Sequence, residues 1–213
     1  MGKAGVKNDT VSKCAEVEVD AHKAVDDREC AGVNTDANEK LVGESGKKLI
    51  TNGSEVTPKY STLEQRYSIV PPKTSDVGEW TGEPGESMFI SSDPRVKDIL
   101  EENGQKGVNY RNGMPDFSPF VKEEFTIKMT NNRQKNFAQA NKQLAEKLTK
   151  ETGEKWTQTK VSQWISDNNY TWHELNDCET IQLVPSAINH PIFKHMGGVG
   201  EINIALGKGV STI

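Results

Sequence analysis

Cysteine is scarce in this chain, and long apolar runs are missing. Its 213 residues contain only three cysteines and no Cys-x-x-Cys pair, which argues against a cysteine zinc knuckle. No apolar run approaches the roughly 20 residues that a membrane span needs, and no apolar leader core opens the sequence. Hydrophobic residues make up 33% of the chain and charged residues 27%, so we expect a modest core and many loops.

An excess of basic residues is also missing. The formal net charge is −5, which argues against a uniformly basic nucleic-acid binder. A local basic patch acting with a metal ion is still compatible with a nuclease. The acidic balance favours a dedicated protein partner for the acidic surfaces.

The first third of the chain differs from the rest. Residues 1–76 are polar, with small apolar side chains and no catalytic cluster, and they end in the linker-like stretch Val70–Asp76. We therefore predict an N-terminal segment over residues 1–76 and a folded domain over residues 77–213. Cys14 and Cys30 lie in one part of the N-terminal segment, either as a disulfide or as two free thiols.

Helices and strands alternate in the second part of the chain. Asn132 and Thr157 are predicted to cap helices, the first of them running from Arg133 to about Thr152. Two strands, Tyr170–Leu175 and Thr180–Val184, flank the polar turn 176–179. A strand over Phe125–Met129, a short helix carrying Asn189–His195 and a last strand over Glu201–Ala205 complete the prediction. The fold class is predicted to be α+β.

Histidine is concentrated near the C-terminus. Three of the four histidines, His173, His190 and His195, lie within the two predicted strands and the segment after them. Imidazole is the commonest metal ligand and the usual base near neutral pH. A metal site or an acid–base site is therefore the first hypothesis for this cluster.

Four segments in order resemble one nuclease superfamily. They are Gly78–Ser87, Gly113–Pro119, Arg133–Ala140 and the stretch from Trp172-His173-Glu174 to Gly198. Together they resemble the HNH/endonuclease VII superfamily, and most closely its toxin nucleases named for a Trp-His-His motif. The resemblance covers roughly residues 76–204. It implies a helical body with a C-terminal ββα-metal motif, also called a His-Me finger.

The resemblance also implies a biological role. Such domains are metal-dependent endonucleases that cut DNA, and they act as antibacterial toxins neutralised by a cognate immunity protein. They are exported by the producing bacterium as part of a larger toxin and act in the cytoplasm of the target cell. In that setting residues 1–76 would form a delivery module that guides import.

The resemblance assigns roles to individual residues. His173 is expected to be essential, either as a metal ligand with Glu174 as the base, or as the base with Glu174 as a ligand or orienting group. His195 is expected to be a ligand and part of the catalytic set, and either Asn189 or His190 completes the metal site. One divalent ion is expected, Zn²⁺ or Mg²⁺/Mn²⁺, since the ligand types fit both.

Basic residues of the predicted helices are candidates for binding the phosphate backbone. These are Arg133, Lys135 and Lys160, with a structural pair between Arg133 and Asp116 as the other interpretation of Arg133. Two further functions stay open. One is cleavage of RNA by the same fold, and the other is a non-catalytic zinc module that binds nucleic acid or protein, which would need a closed site with four ligands.

Overall fold

Antiparallel strands, five α-helices and one short 3-10 helix (Ser118–Phe120) build the part of the chain that the structure describes. The computed structural model describes residues 49–51 and 54–209, which belong to one compact unit. The strands are β1 (Leu49–Thr51), β2 (Ser54–Val56), β3 (Gly78–Trp80), β4 (Met88–Ser91), β5 (Val108–Arg111), β6 (Met114–Pro115), β7 (Glu123–Thr126), β8 (Tyr170–Glu174) and β9 (Thr180–Pro185). The helices are α1 (Leu63–Tyr67), α2 (Pro94–Glu102), α3 (Arg133–Thr152), α4 (Gln158–Asp167) and α5 (Gly198–Ala205).

The strands form separate antiparallel sheets. Strands β1 and β2 form a hairpin, β3-β4-β5-β6 form a four-stranded sheet, and β7-β9-β8 form a three-stranded sheet. In the last sheet β9 is central, with His173 of β8 opposite Gln182. Helices and antiparallel sheets occur together, so the predicted α+β class is confirmed.

The hairpin that carries His173 is as predicted. Strands β8 and β9 flank the turn 176–179, and Asp177 shapes that turn by accepting hydrogen bonds from the backbone N–H groups of Glu179 and Thr180. Cys178 adopts a left-handed conformation there, with a φ of 63°. Asp177 and Cys178 thus serve the turn, as turn residues do elsewhere.

The two long helices also begin and end as predicted. The side chains of Asn132 and Thr157 accept hydrogen bonds from the backbone N–H groups of Lys135 and Lys160, which caps α3 and α4. Gly153 ends α3 in a left-handed conformation with a φ of 73°. Cap and stop residues determined these boundaries because they act within one turn of chain.

The prediction after Pro185 is wrong. Residues 186–193 form turns, in which Ile188 and Asn189 donate to the Pro185 carbonyl, and no helix carries Asn189–His195. Pro191 explains this, since it has no N–H for a helical hydrogen bond and disfavours helical geometry in the residue before it. The helix lies further on, as α5, with Gly197 as its N-cap.

Two of the predicted strands also differ from those in the structure. The segment Glu201–Ala205 belongs to α5, because tertiary burial of Glu201 outweighs its strand-like alternation. The strand predicted over Phe125–Met129 is displaced toward the N-terminus and runs over Glu123–Thr126 instead.

Two hydrophobic clusters meet at the β8–β9 hairpin. Phe89, Phe117, Val184 and Phe193 belong to the first, and the second contains Trp172, which packs against α3 and α4 as a core residue. Strand β9 contributes to both clusters, with Val184 in the first and Ile181 and Leu183 in the second. None of the helices within residues 49–51 and 54–209 is long and apolar enough to cross a membrane.

Part of the predicted N-terminal segment packs on the predicted folded domain over residues 77–213. Val56 shares a small core cluster with Met114 and Leu175, and the backbone N–H of Lys59 donates to the Asn176 carbonyl at 3.0 Å. Arg66 is buried and donates to the Asn112 carbonyl at 2.7 Å. The division at residue 76 stays a prediction, as does the Cys14–Cys30 pair, which lies outside the described residues.

Candidate active site

Two histidines from different segments lie side by side in the interior. His173 is on β8, and the strand pleat directs it to the face opposite its neighbour Trp172. His195 lies in the extended stretch before α5. The centroids of the two rings are 5.0 Å apart, and Phe117 packs edge-on against both, at 4.8 Å from His173 and 5.6 Å from His195.

The orientation of His195 is set by a backbone contact. Its Nδ1 lies 2.6 Å from the Phe193 carbonyl, so Nδ1 carries the proton and donates it. Nε2 then holds a lone pair. That atom is buried and has no hydrogen-bond partner among the residues that the structure describes.

Asn189 is the third member of this group. Its amide nitrogen donates to the Trp172 carbonyl at 3.2 Å, which directs the amide oxygen away from that contact. The side chain faces the His173 ring without forming a hydrogen bond of good geometry with it. Within this group, three buried atoms have no hydrogen-bond partner in the described part of the chain: Nδ1 of His173, Oδ1 of Asn189 and Nε2 of His195.

Burial keeps both imidazoles neutral. Loss of solvation, and then the proximity of His195, lowers the pKa of His173 well below its usual range, while the Asn189 side chain opposes this. Loss of solvation also lowers the pKa of His195 to about 4, against the opposing hydrogen bond to Phe193. Arg133 adds a smaller lowering contribution to the pKa of both. Neutral rings keep lone pairs available at pH 7.

Glu174 faces a different set of partners. Its Oε1 accepts a hydrogen bond from Asn136 at 2.7 Å, and its Oε2 forms an ion pair with Nε of Arg133 at 3.3 Å. Burial raises the pKa of Glu174, and the Asn136 hydrogen bond and Arg133 oppose that rise. The carboxylate thus anchors the first turn of α3 to β8.

Arg133 reaches from this anchor toward the solvent. Its side chain is 43% exposed, while that of Glu174 is 2% exposed. Within the described part of the chain, no hydrogen bond is recorded for its two terminal nitrogens. The predicted alternative partner, Asp116, instead accepts from the backbone of Ser118. Arg133 therefore presents charge beside the histidine pair.

The other predicted site residues lie apart from this pair. His190 is half-buried, and its Nδ1 accepts a hydrogen bond from the Ile192 backbone at 3.3 Å. Lys160 pairs with Glu154 at 3.2 Å and lies 4.2 Å from the centroid of the Trp156 ring. Lys135 is exposed on α3, two residues from Arg133.

The three partnerless atoms fit a divalent cation. Two imidazole nitrogens and an amide oxygen are ordinary ligands, and burial of such atoms without a partner is costly. Across residues 49–51 and 54–209, no set of three or more His, Cys, Asp and Glu side chains gathers as a metal site. A site here would thus need the amide of Asn189 and leave other positions to water or substrate.

Asn136 was not singled out from the sequence. It is fully buried, and its side chain contacts Glu174 as well as the backbone and hydroxyl of Thr130. A weak signal existed, since Asn136 and Arg133 are spaced for one face of a helix. The partner on β8 could not be read from that spacing.

Comparison with known families gives one match. Residues 107–197 match the model of the Colicin-DNase family, described as the DNase/tRNase domain of colicin-like bacteriocin. The match supports a bacteriocin nuclease toxin domain. It includes α3, both strands of the hairpin and all three of the partnerless atoms. No curated protein and no solved structure matches the chain.

Proposed function

We propose that this chain is a metal-dependent endonuclease that cuts DNA. The observation that carries the proposal is the group of buried, partnerless atoms on His173, Asn189 and His195, with Arg133 beside it. Similarity to the bacteriocin nuclease domain supplies the substrate class, nucleic acid. A bound divalent ion would stabilise charge on the phosphate and on the leaving oxygen.

Three residues of this chain are proposed to hold the metal ion. Neutral His173 and His195, with the Asn189 amide, hold the ion in preference to His190, whose Nδ1 is already occupied by the Ile192 N–H. Phe117 packs edge-on against both rings and helps to fix their positions. Zn²⁺ and Mg²⁺/Mn²⁺ remain the candidate ions, since two nitrogens and one oxygen suit either group.

Arg133 is proposed to bind the phosphate, and Glu174 to orient it. An arginine fixed at Nε by a buried carboxylate keeps its outer nitrogens for a planar contact with phosphate oxygens. Both oxygens of Glu174 already accept from Asn136 and Arg133, which supports the orienting role over the role of base. Lys135, exposed on the same helix, would add weaker contacts along the backbone of the nucleic acid.

Cleavage assays with defined metals test the proposal. Purified protein is incubated with plasmid DNA or with total RNA, in EDTA and in Mg²⁺, Mn²⁺ or Zn²⁺. We expect the wild-type protein to cut DNA only when a metal ion is present. His173→Ala and His195→Ala should abolish this activity, and the matched control His190→Ala should retain it. DNA cleavage by the wild-type protein in EDTA would contradict the proposed metal dependence. An inactive His190→Ala variant together with an active His195→Ala variant would contradict the proposed ligand set.

A double-mutant cycle tests the pairing of Glu174 with Arg133. Loss of a charged hydrogen bond to phosphate costs roughly 1.5–3 kcal/mol, so Arg133→Ala should slow cleavage about 10- to 100-fold. Glu174→Gln should have a similar effect, and the double variant should be little worse than either, because both changes remove one interaction. The exposed neighbour Gln134→Ala is the control. Additive losses would instead make Glu174 an independent group, such as the base.

RNA cleavage is the second candidate function. The matched family covers tRNases as well as DNases, so the same assay with RNA discriminates the two. If the chain cuts neither substrate yet retains Zn²⁺, the non-catalytic zinc module replaces the nuclease. We also propose a cognate immunity protein as partner, export within a larger toxin, action in the target-cell cytoplasm, and a delivery module within residues 1–76.

A further inference from the structure

Glu201 is a buried carboxylate outside the proposed catalytic set. It lies in the first turn of α5 and is fully inaccessible to solvent. Its Oε2 accepts from the backbone N–H groups of Tyr60 and Ser61, each at 2.7 Å. Its Oε1 accepts from the Ser61 hydroxyl and, at 2.8 Å, from the Asn176 amide. A buried charge with this many donors is held in one position.

These donors come from two distant parts of the chain. Asn176 lies in the β8–β9 turn, three residues beyond His173, while Tyr60 and Ser61 lie upstream of the region that matches the bacteriocin nuclease family. The Lys59 N–H also donates to the Asn176 carbonyl, so the turn is held on two sides. We call Tyr60, Ser61, Asn176 and Glu201 the carboxylate clamp.

The upstream half of the clamp is itself fixed. Arg66 donates through one nitrogen to the Ser61 carbonyl at 2.7 Å and to the Ser61 hydroxyl at 2.9 Å. The Glu201 charge acts on Arg66 and opposes the lowering of its pKa by burial. The Ser61 hydroxyl therefore accepts from Arg66 and donates to Glu201, which connects both charges through one side chain.

The clamp lies close in sequence to both histidines. The backbone N–H of Glu201 donates to the carbonyl of Gly197, two residues after His195. A Cβ atom on Gly198 would lie 2.6 Å from the Leu175 carbonyl, so the first turn of α5 is in tight contact with the end of β8. Any shift of α5 relative to the hairpin would move His195 relative to His173.

We propose that the carboxylate clamp positions His195 against His173, and that the nuclease unit therefore includes residues upstream of residue 77. Glu201 is a positioning residue in this account, because it touches neither substrate nor metal. The inference rests on the proposed metal site. It assigns the stretch around Tyr60 and Ser61 to the nuclease rather than to delivery.

Cobalt binding to the full chain tests the clamp. Co²⁺ serves as the probe because its visible absorption reports ligand geometry apart from cleavage. Outer groups that orient metal ligands typically matter 10- to 100-fold, so we expect Glu201→Gln to weaken Co²⁺ binding by about tenfold or more and to alter the spectrum. Ser61→Ala is a milder change and should also weaken Co²⁺ binding. It provides the test if the Glu201→Gln variant fails to fold. Glu146→Gln, at an exposed position on α3, is the matched control.

The outcomes separate the two proposals. If the wild-type chain binds Co²⁺ and both clamp variants bind it as tightly with an unchanged spectrum, the clamp proposal is overturned and the metal proposal stands. If the wild-type chain binds no Co²⁺, the metal proposal fails and the clamp proposal fails with it. Weaker binding by the folded clamp variants, with Glu146→Gln unchanged, supports both.

Discussion

Burial of His195 makes the stability of this fold depend on pH. Its pKa is lowered to about 4 in the folded state, while an unfolded histidine titrates near 6.5. Between these values the unfolded chain binds more protons, so the free energy of unfolding falls as the pH falls from about 6.5 to 4. Above about 6.5 the contribution is fully present.

The size of this effect is measurable. For His195 alone the shift corresponds to a loss on the order of 3 kcal/mol across that window, and His173 acts in the same direction. Urea unfolding in EDTA at a series of pH values checks it. His195→Gln should flatten the dependence and His190→Gln should leave it. An equally steep profile for His195→Gln would show that the slope has another origin.

Contact between α5 and β8 makes Gly198 intolerant of a side chain. A Cβ atom there would lie 2.1 Å from the Met129 sulfur and 2.6 Å from the Leu175 carbonyl, and the backbone carbonyl cannot move aside cheaply. Overpacking of this kind costs roughly 1–3 kcal/mol, so Gly198→Ala should lower the free energy of unfolding by that amount.

Gly82→Ala is the matched control for this helix contact. Gly82 is exposed, and its nearest neighbour would be the Ser87 Cβ at 3.2 Å. We expect a change within about 0.5 kcal/mol there, as at most surface positions. Denaturant unfolding measures the free energy of unfolding of both variants. An equal loss in Gly198→Ala and Gly82→Ala would contradict a special role for the α5 contact.

The hairpin and helices differ in how far the sequence could predict them. Thr157 and Asn132 cap their helices through hydrogen bonds to residues three positions away, so local chemistry sufficed. The helix predicted to carry Asn189–His195 and the strand predicted over Glu201–Ala205 were wrong, because Pro191 disfavours a helix in the first segment and the fully buried carboxylate of Glu201 lies in a helix in the second. The burial of Glu201 depends on partners more than 100 residues away, such as Tyr60.

For the molecule as a whole, metal binding should join segments that are far apart in sequence. The proposed ligands lie on β8 and in the segment before α5, at the meeting point of two hydrophobic clusters. A ligand that binds only the folded chain stabilises it by about 2.7 kcal/mol at 100 times its dissociation constant. For a domain of this size that corresponds to a rise in Tm of roughly 5–10 °C.

Thermal unfolding with and without Zn²⁺ or Mn²⁺ measures this rise. The increase should disappear in His195→Ala, because that change removes one of the buried nitrogens. A shift of the same size in His195→Ala would place the metal elsewhere on the chain.

Sequence alone established the α+β class, the boundaries of α3 and α4, the His173 hairpin and the histidine cluster as the site to test. These follow from caps, turns and alternation, whose physical causes act over a few residues. Tertiary structure was needed to bring His195 beside His173, to pair Glu174 with Arg133 and Asn136, and to bury Glu201 against Tyr60 and Ser61. Those contacts join segments distant in the chain, and the cost of burying a polar group sets its partner only when the fold has formed.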